Sequence, residues 1–353
     1  MRCACLVLIH VVAMASAAVA AEPLLTFDLP GRTVVGTPLA RSENAVFLLG
    51  RDGQLIEFPP QQATGSAQLP GNFTSLPQAE IRGLLLREFS QGYEVSGVGH
   101  YLVVHPAGER DQWAPRFEEL HRSFRHYFAA RGWSLSEPRF PLVAVVYSQQ
   151  AGFARQAARE GLTQVGGVLG YYSPTTNRIL MFDPGRSGPE WSSSAETIIH
   201  EAAHQTAFNT GVHTRFAATP RWIVEGLGML FEARGVWQSR TYPSQTDRLN
   251  RGRLQSFRAY ASRRPADAIA QIVSSDRIFS ADPDGAYAEA WTLTFFLSES
   301  EPKKYQQLLS KTAAQSPFTA YPAPQRLRDF TDIFGADLKM LDARLQRFAA
   351  GLK

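Results

Sequence analysis

Two histidines and a glutamate stand together in the stretch AETIIHEAAHQTAFNTG, residues 195–211, as His-Glu-Ala-Ala-His. His200 and His204 are four residues apart, so on a helix they lie on one face, one turn apart. Two imidazoles at this spacing can bind one zinc ion at about 2 Å from each nitrogen. Glu201 would project beside the metal, where it can take a proton from water. The pattern predicts a catalytic metal centre, and its alternative is a core helix that carries two histidines.

A second stretch, TPRWIVEGLGMLFEARG, residues 219–235, offers a third metal ligand. Pro220 is placed to begin a helix, and the apolar residues after it form a stripe at helical spacing. Glu225 lies in the middle of this helix, where an acid is costly to bury unless it is paired or metal-bound. Gly226 and Gly228 each weaken a helix by about 1 kcal/mol relative to alanine. We predict that these glycines allow a close approach to the first helix, which brings Glu225 to the two imidazoles.

His-Glu-x-x-His followed downstream by Trp-x-x-Glu-Gly resembles the gluzincin metallopeptidases. The resemblance covers residues 143–297, and it is strongest to the peptidase MA-like domains of exported bacterial proteins. It implies that His200, His204 and Glu225 bind zinc and that Glu201 is the general base. It also implies a zincin-like fold in which a β-sheet precedes the metal-binding helix, its edge strand lines the cleft, and the substrate is a peptide or protein.

One position departs from the gluzincin pattern. Gluzincins commonly carry an acid one turn after the ligand glutamate, where it holds a zinc-bound histidine, but here that place is taken by Gly228 and Met229. Metal-bound histidines usually donate their second N–H to a carboxylate or a carbonyl. Glu232, Glu196 and a backbone carbonyl are therefore alternative partners.

A tyrosine is the expected donor to the oxyanion that forms during peptide hydrolysis. In DGAYAEAWTLTFFLSES, residues 284–300, Tyr287 stands at the start of an amphipathic helix, in a place similar to that of the catalytic tyrosine of aminopeptidase-type gluzincins. Tyr287 is therefore the predicted second catalytic residue. The alternative is a tyrosine that caps the core at the end of a helix, with its hydroxyl in water.

His213 is the other candidate for a third ligand. The metzincin pattern requires glycine at position 207 and histidine at position 210, and Ala207 and Thr210 exclude it. His213 is instead expected to be an exposed loop histidine. Asn209 could reach the cleft, although nothing singles it out. The remaining histidines after residue 21 have no ligand spacing and are predicted to be structural: His100, His105, His121 and His126.

The elements around these residues follow the order strands first and helices afterwards, which predicts an α+β fold. Residues 22–78 read as a small β-rich module that contains the hairpin AVFLLGRDGQLIEF and ends in a linker rich in Pro, Gly, Ser and Gln. Residues 79–353 form the predicted metallopeptidase domain. It has a sheet over 94–183, metal helices over 192–234 and C-terminal helices over 246–352.

Individual segments sharpen this prediction. GYYSPTTNRILMFD, residues 170–183, predicts a hairpin that turns at 173–177 and stands where the gluzincin resemblance places the edge strand. YEVSGVGHYLVVH, residues 93–105, alternates as a single strand. The segment 111–132 has apolar residues at helical spacing and ends in glycine, and the serines at 192–194 are candidate caps of the metal helix.

The first residues predict export. Met1 and Arg2 precede the apolar core CLVLIHVVAMASA, and small residues at Ala18 and Ala20 predict cleavage of a signal peptide spanning 1–21. Both cysteines lie inside this segment, so the mature chain is expected to have no thiol and no disulfide. No later run approaches the roughly 20 apolar residues of a membrane span. A periplasmic or extracellular location is predicted.

Charge argues against nucleic-acid binding. The 36 basic and 32 acidic residues leave a formal net charge of +4, and the basic residues are scattered along the chain. A nucleic-acid site would cluster them on one element.

These observations predict an exported hydrolase, a zinc-dependent peptidase that uses Glu201 as its general base. Two alternatives remain open at this point. One is a non-catalytic binding module that keeps the peptidase fold, and the other is a zinc amidase that acts on cell-wall material.

Overall fold

A computed structural model describes residues 22–89, 91–162, 168–183 and 195–353. The predicted signal peptide, its two cysteines and the predicted serine caps lie outside the described residues. The α+β prediction is confirmed, because two five-stranded sheets precede a helical C-terminal half.

The first sheet is antiparallel and has the order β4-β3-β2-β1-β5. Its strands are β1 (Pro23–Leu29), β2 (Arg32–Arg41), β3 (Val46–Gly50), β4 (Leu55–Phe58) and β5 (Gly65–Asn72). The predicted hairpin is present as β3 and β4. Leu29, Val34, Leu48 and Phe58 are buried together and form the small core of this sheet.

The linker prediction was wrong for residues 65–72, because β5 pairs with β1 at the edge of the first sheet. Most of the side chains of β5 are exposed, and the strand has the polar sequence GSAQLPGN. An edge strand needs only backbone hydrogen bonds on one side, so it does not have to show the apolar alternation that identifies buried strands.

The second sheet is mixed and has the order β6-β7-β8-β10-β9. Its strands are β6 (Tyr93–Val98), β7 (Tyr101–Pro106), β8 (Leu142–Tyr147), β9 (Gly170–Ser173) and β10 (Arg178–Phe182). β7, β8 and β10 run parallel, whereas β6 and the edge strand β9 are antiparallel to their neighbours. The predicted hairpin at 170–183 is confirmed as β9 and β10.

Residues 93–105 form a hairpin, β6 and β7, and the prediction of a single strand was wrong. Gly99 makes the turn with a φ of +56°, a left-handed conformation that glycine adopts at little cost. The next residue, His100, donates its backbone N–H to the Glu118 carboxylate at 2.8 Å. A Cβ at Gly99 would overlap that carboxylate, so the turn depends on glycine for space as well as conformation.

The helices beside the second sheet are α1 (Gln78–Glu88), α2 (Arg110–Ala129) and α3 (Gln150–Arg159). The helices that follow it are α4 (Ala195–Asn209), α5 (Arg221–Phe231), α6 (Arg234–Trp237), α7 (Arg251–Tyr260), α8 (Ala268–Ser274), α9 (Ile278–Ala281), α10 (Pro283–Ser300), α11 (Pro302–Ala313), α12 (Ala323–Phe334) and α13 (Leu338–Gly351). The apolar stripe predicted on α2 is buried against the sheet and α4.

Helix α10 is the centre of the helical half. It packs against α5 and α7, and its apolar residues are buried on all sides, as expected of a helix surrounded by others. It also buries one acid, Glu289, which accepts two hydrogen bonds of 2.7 Å from Arg264. Arg264 in turn pairs with Asp342 on α13. This buried ion cluster fixes α10, which supports α5 from behind.

Within the residues described, no helix combines the length and the apolar character that crossing a membrane requires.

Candidate metal centre

Helices α4 and α5 bring His200, His204 and Glu225 together. The Nε2 atoms of the two histidines are 2.9 Å apart, and Glu225 Oε2 lies 3.5 Å from His200 Nε2. One ligand atom from each residue lies within 4.8 Å of the other two. The predicted one-turn spacing therefore places both imidazoles on the α5 side of α4, where the glutamate meets them.

Gly228 makes this approach possible. A Cβ at this position would lie 2.7 Å from His200 Cε1 and 2.8 Å from His204 Cε1, closer than carbon atoms pack. The predicted role of Gly228 is thus borne out by the geometry. For Gly226 the prediction was wrong, because a Cβ there would overlap Thr294 on α10 and lie 2.8 Å from the carbonyl oxygen of Ala290, so this glycine allows the approach of α10 instead of α4.

The donor set and its spacing suit a zinc ion. Ligand atoms about 2.0–2.1 Å from a tetrahedral zinc ion are separated from each other by about 3.3 Å. The two separations that involve His200, 2.9 and 3.5 Å, bracket this value, and the third pair, His204 and Glu225, lies within 4.8 Å. Two imidazoles and one carboxylate, with a fourth position left for water, also form the ligand set of a catalytic zinc site.

Glu232 is the partner of the first histidine, which resolves the alternatives left open by the sequence. His200 Nδ1 lies 2.8 Å from Glu232 Oε1, and Asn250 Nδ2 donates to Glu232 Oε2 at 2.6 Å. The Asn250 side chain is fixed because it also caps the N-terminus of α7, where it accepts a hydrogen bond from the backbone N–H of Arg253. Glu196, by contrast, is exposed on the first turn of α4. Glu232 therefore orients His200 so that its Nε2 faces Glu225.

The charges of the site are strongly coupled. Burial alone would lower the pKa of His200, but hydrogen bonds to Glu225 and Glu232 outweigh burial and raise it well above its ordinary value. Burial and the neighbouring His200 lower the pKa of His204 to about 3. Burial raises the pKa of Glu225, yet the two histidines and Arg221 bring it down to about 2. These shifts favour the protonated form of His200 and the neutral form of His204.

Glu201 lies beside the ligands and has its own partner. Its Oε2 accepts a hydrogen bond of 2.7 Å from the backbone N–H of Tyr172 on the edge strand β9. Burial, together with the charge of Glu225, raises its pKa to about 7. The edge strand therefore contributes a backbone donor that holds Glu201, which the sequence pattern did not predict.

The edge hairpin is tied to α4 through Asn177, which has a left-handed φ of 59° and is 3% exposed. Its side-chain oxygen accepts hydrogen bonds of 2.8 Å from both the Tyr172 hydroxyl and Asn209 Nδ2. Gln205 on α4 donates to the Asn177 carbonyl at 2.9 Å. Asn209, which nothing in the sequence singled out, thus holds the hairpin that carries Tyr172.

Two other parts of the chain hold the turn of the same hairpin. Arg215 donates from Nε and Nη2 to the Pro174 carbonyl oxygen at 2.8 and 2.6 Å. The backbone N–H of Leu55, on strand β4 of the first sheet, donates to the Thr175 carbonyl oxygen at 2.8 Å. The first sheet therefore supports the strand that contacts Glu201.

Tyr287 is linked to the ligand group through Arg221. Its hydroxyl oxygen accepts a hydrogen bond of 2.8 Å from Arg221 Nη2, and Arg221 Nε lies 3.6 Å from Glu225 Oε1. This arrangement leaves the hydroxyl proton of Tyr287 free to be donated elsewhere. Its catalytic role stays a prediction.

His213 is buried, and the expectation of an exposed loop histidine was wrong. Its side chain is 2% exposed and packs against Phe208 with the ring centroids 5.1 Å apart. The loop turns back here, because the His213 backbone N–H bonds the Ala207 carbonyl at 3.0 Å. His213 does not join the group of possible metal ligands found among the described residues.

His121 should make the protein less stable in acid. This side chain is fully buried next to His100, and burial together with that neighbour lowers its pKa from 6.5 to about 4. The unfolded chain therefore binds more protons between these values, and stability falls as the pH drops from 6.5 towards 4. At about 1.4 kcal/mol per pKa unit, the loss approaches about 3 kcal/mol.

Urea unfolding at pH 7 and pH 5 checks this prediction. His121→Leu should reduce the pH dependence of the unfolding free energy, because it removes the group that takes up the proton. His126→Leu changes an exposed histidine on the same helix and should keep the wild-type dependence. An unchanged slope in His121→Leu would contradict the assignment.

Comparison with known proteins gives one partial match. Residues 194–319 match a family described as a protein of unknown function, DUF1570. The matched segment contains α4, α5 and Tyr287 but neither sheet. No curated protein matches the chain.

Proposed function

We propose that the protein is an exported zinc-dependent peptidase of the gluzincin type. The observation that carries the proposal is the convergence of His200, His204 and Glu225, with the Glu201 carboxylate held beside them. Two histidines and two acids converge here in buried or partly buried positions, and buried charged groups in proteins are either paired or coordinate a metal. The gluzincin resemblance of the same residues supports a peptide as the substrate.

The chain's own residues divide the chemistry between them. His200, His204 and Glu225 would hold the zinc ion, which when bound polarises a carbonyl group and makes water more acidic. Glu201 accepts the proton of the attacking water as the oxygen bonds to the carbonyl carbon of the substrate. It then delivers this proton to the amine as the C–N bond breaks, so that one water is consumed for each bond.

Tyr287 is the proposed donor to the carbonyl oxygen of the substrate. Arg221 already donates to the tyrosine oxygen, which leaves the O–H of the tyrosine as the available donor. A donor aimed at the developing negative charge stabilises the transition state. Arg221 also contacts Glu225, so it fixes the position of the Tyr287 hydroxyl relative to this proposed zinc ligand.

Metal content is the first test of this proposal. The protein, purified without chelator and supplied with zinc, is expected to hold about one zinc per chain by mass spectrometry. Glu225→Ala should lose most of this metal, since it removes one of three ligands. The loaded protein should then hydrolyse members of a mixed peptide library, with new amino termini detected by mass spectrometry.

The outcomes separate the alternatives. Absence of zinc in the wild type after zinc is supplied would overturn the proposal. Zinc binding without peptide hydrolysis would favour the binding module, and cleavage confined to cell-wall fragments would favour the amidase.

A further inference from the structure

Two arginines lie close to the ring of Tyr287. The guanidinium carbon of Arg221 is 5.7 Å from the ring centroid, and that of Arg253 is 5.4 Å from it. Both distances are within the range of cation–π attraction. Arg221 is fixed further by its hydrogen bond to the tyrosine hydroxyl and by the face of Phe279, 4.7 Å away.

Both arginines belong to elements that hold the metal centre. Arg221 begins α5, four residues before Glu225, and its Nε is 3.6 Å from that carboxylate. The backbone N–H of Arg253 donates to the side chain of Asn250, whose amide in turn holds Glu232. The Arg221 guanidinium therefore lies next to the proposed zinc site, and the Arg253 guanidinium lies next to Tyr287.

The positive charge of Arg253 is not balanced by an acid among the described residues, and that of Arg221 is balanced by a metal-centre ligand. Arg253 makes no ion pair within 4.0 Å in this part of the chain, and Arg221 pairs there with Glu225, whose charge a bound metal would share. Asp276 accepts the Arg221 backbone N–H, but its other oxygen pairs with Arg326 at 3.0 Å. Guanidinium groups stay charged at any working pH.

The site is also accessible. The Arg221 side chain is 44% exposed, and Arg253 is partly exposed. Exposed cations raise the local concentration of anionic ligands, and guanidinium groups match the geometry of a carboxylate.

We propose that Arg221 and Arg253 bind a carboxylate of the substrate, so that the protein prefers peptides with a negative charge next to the cleaved bond. This inference rests on the proposed peptidase function. The carboxylate belongs either to an acidic side chain or to the carboxyl terminus of the peptide, and both present the same chemistry to the arginines.

Peptide binding to the zinc-loaded Glu201→Gln protein tests the inference without turnover. Four versions of one peptide are compared by titration calorimetry: with glutamate or glutamine in the middle, each with a free or an amidated carboxyl terminus. We expect one carboxylate to improve affinity by about tenfold or more, as for other charge-assisted hydrogen bonds. A higher affinity for the glutamate peptides would identify a side-chain carboxylate, and a higher affinity for the peptides with a free carboxyl terminus would identify the terminal carboxylate.

The arginine variants assign the effect. Arg253→Gln should remove most of the gain, measured within this variant as the ratio of its affinities for the carboxylate-bearing and the doubly neutral peptide. Arg221→Lys should remove part of it, because an ammonium group keeps the charge but not the paired donors. Arg251→Gln changes an exposed neighbour on the same helix and should keep the full preference.

Equal affinity for all four peptides, or a preference that survives Arg253→Gln, would overturn the inference. Hydrolysis of neutral and acidic peptides at equal rates by the wild type would then leave the peptidase proposal standing. Conversely, arginine-dependent binding of the carboxylate by a wild-type protein that cleaves no peptide would support a carboxylate-binding site at the two arginines and overturn the peptidase proposal.

Discussion

Replacing Glu201 with glutamine should abolish peptide hydrolysis while leaving the fold and the metal intact. Glutamine has the same shape, and its carbonyl oxygen can still accept the N–H of Tyr172, which lies 2.7 Å from Glu201 Oε2. An amide cannot take a proton from water. General base catalysis typically contributes about 10²–10⁴-fold, so we expect at least a hundredfold fall in kcat/KM.

Zinc content and thermal unfolding measured on the same samples separate chemistry from structure. The variant should hold as much zinc as the wild type and unfold at a similar temperature. Glu196→Gln is a matched control, because this exposed acid lies on the first turn of the same helix, α4. Full activity in Glu201→Gln would show that another group carries the proton, and the mechanism proposed above would be wrong.

Gly228→Ala should prevent metal binding although glycine has no ligand atom. The added methyl carbon would lie within 2.9 Å of three ring atoms of His200 and His204, and α5 cannot retreat without moving Glu225. Changes behind a single ligand commonly cost 10–100-fold in metal affinity. Since this change displaces two ligands, we expect a loss of about a hundredfold or more. Competition with a chromogenic zinc chelator measures the affinity.

Gly226→Ala provides the contrast. Its methyl group would meet Thr294 and Ala290 on α10, so the expected cost is one of packing, about 1–3 kcal/mol of stability. Folded Gly226→Ala should therefore keep far more of its zinc affinity than Gly228→Ala does. The reverse order, or wild-type affinity in Gly228→Ala, would mean that α4 and α5 do not hold a metal between them.

The parts of the site that the sequence predicted are those that local geometry determines. His200 and His204 share a helix face because of their spacing alone, and an acid flanked by apolar residues, such as Glu225, requires a partner. The hairpin at 170–183 was predictable for the same reason, because its alternation and its turn residues are local. The role of Gly228 could be predicted because a glycine inside a helix lowers its stability and therefore suggests a close contact that no larger residue would allow.

The rest depended on contacts between distant segments. Glu232 was one of three possible partners for His200, and the hydrogen bond from the distant Asn250, which holds the Glu232 carboxylate, could not be read from the sequence. The hydrogen bond from Tyr172 to Glu201 uses a backbone N–H, which every residue except proline has, so the residue type does not reveal it. Strand β5 was missed because a polar edge strand has no apolar pattern. Burial of His213 follows from a loop that folds back onto α4.

The turn between β9 and β10 contacts three distant parts of the chain, through Leu55, Gln205 and Arg215. This has a consequence for how the protein can evolve. Surface turns usually tolerate insertions, but one extra residue here would shift β9 by one position and reverse the direction of each of its N–H groups. The backbone N–H of Tyr172 would then no longer point towards Glu201. Selection should therefore hold the length of this turn constant among relatives whose other loops vary, although it supplies no metal ligand.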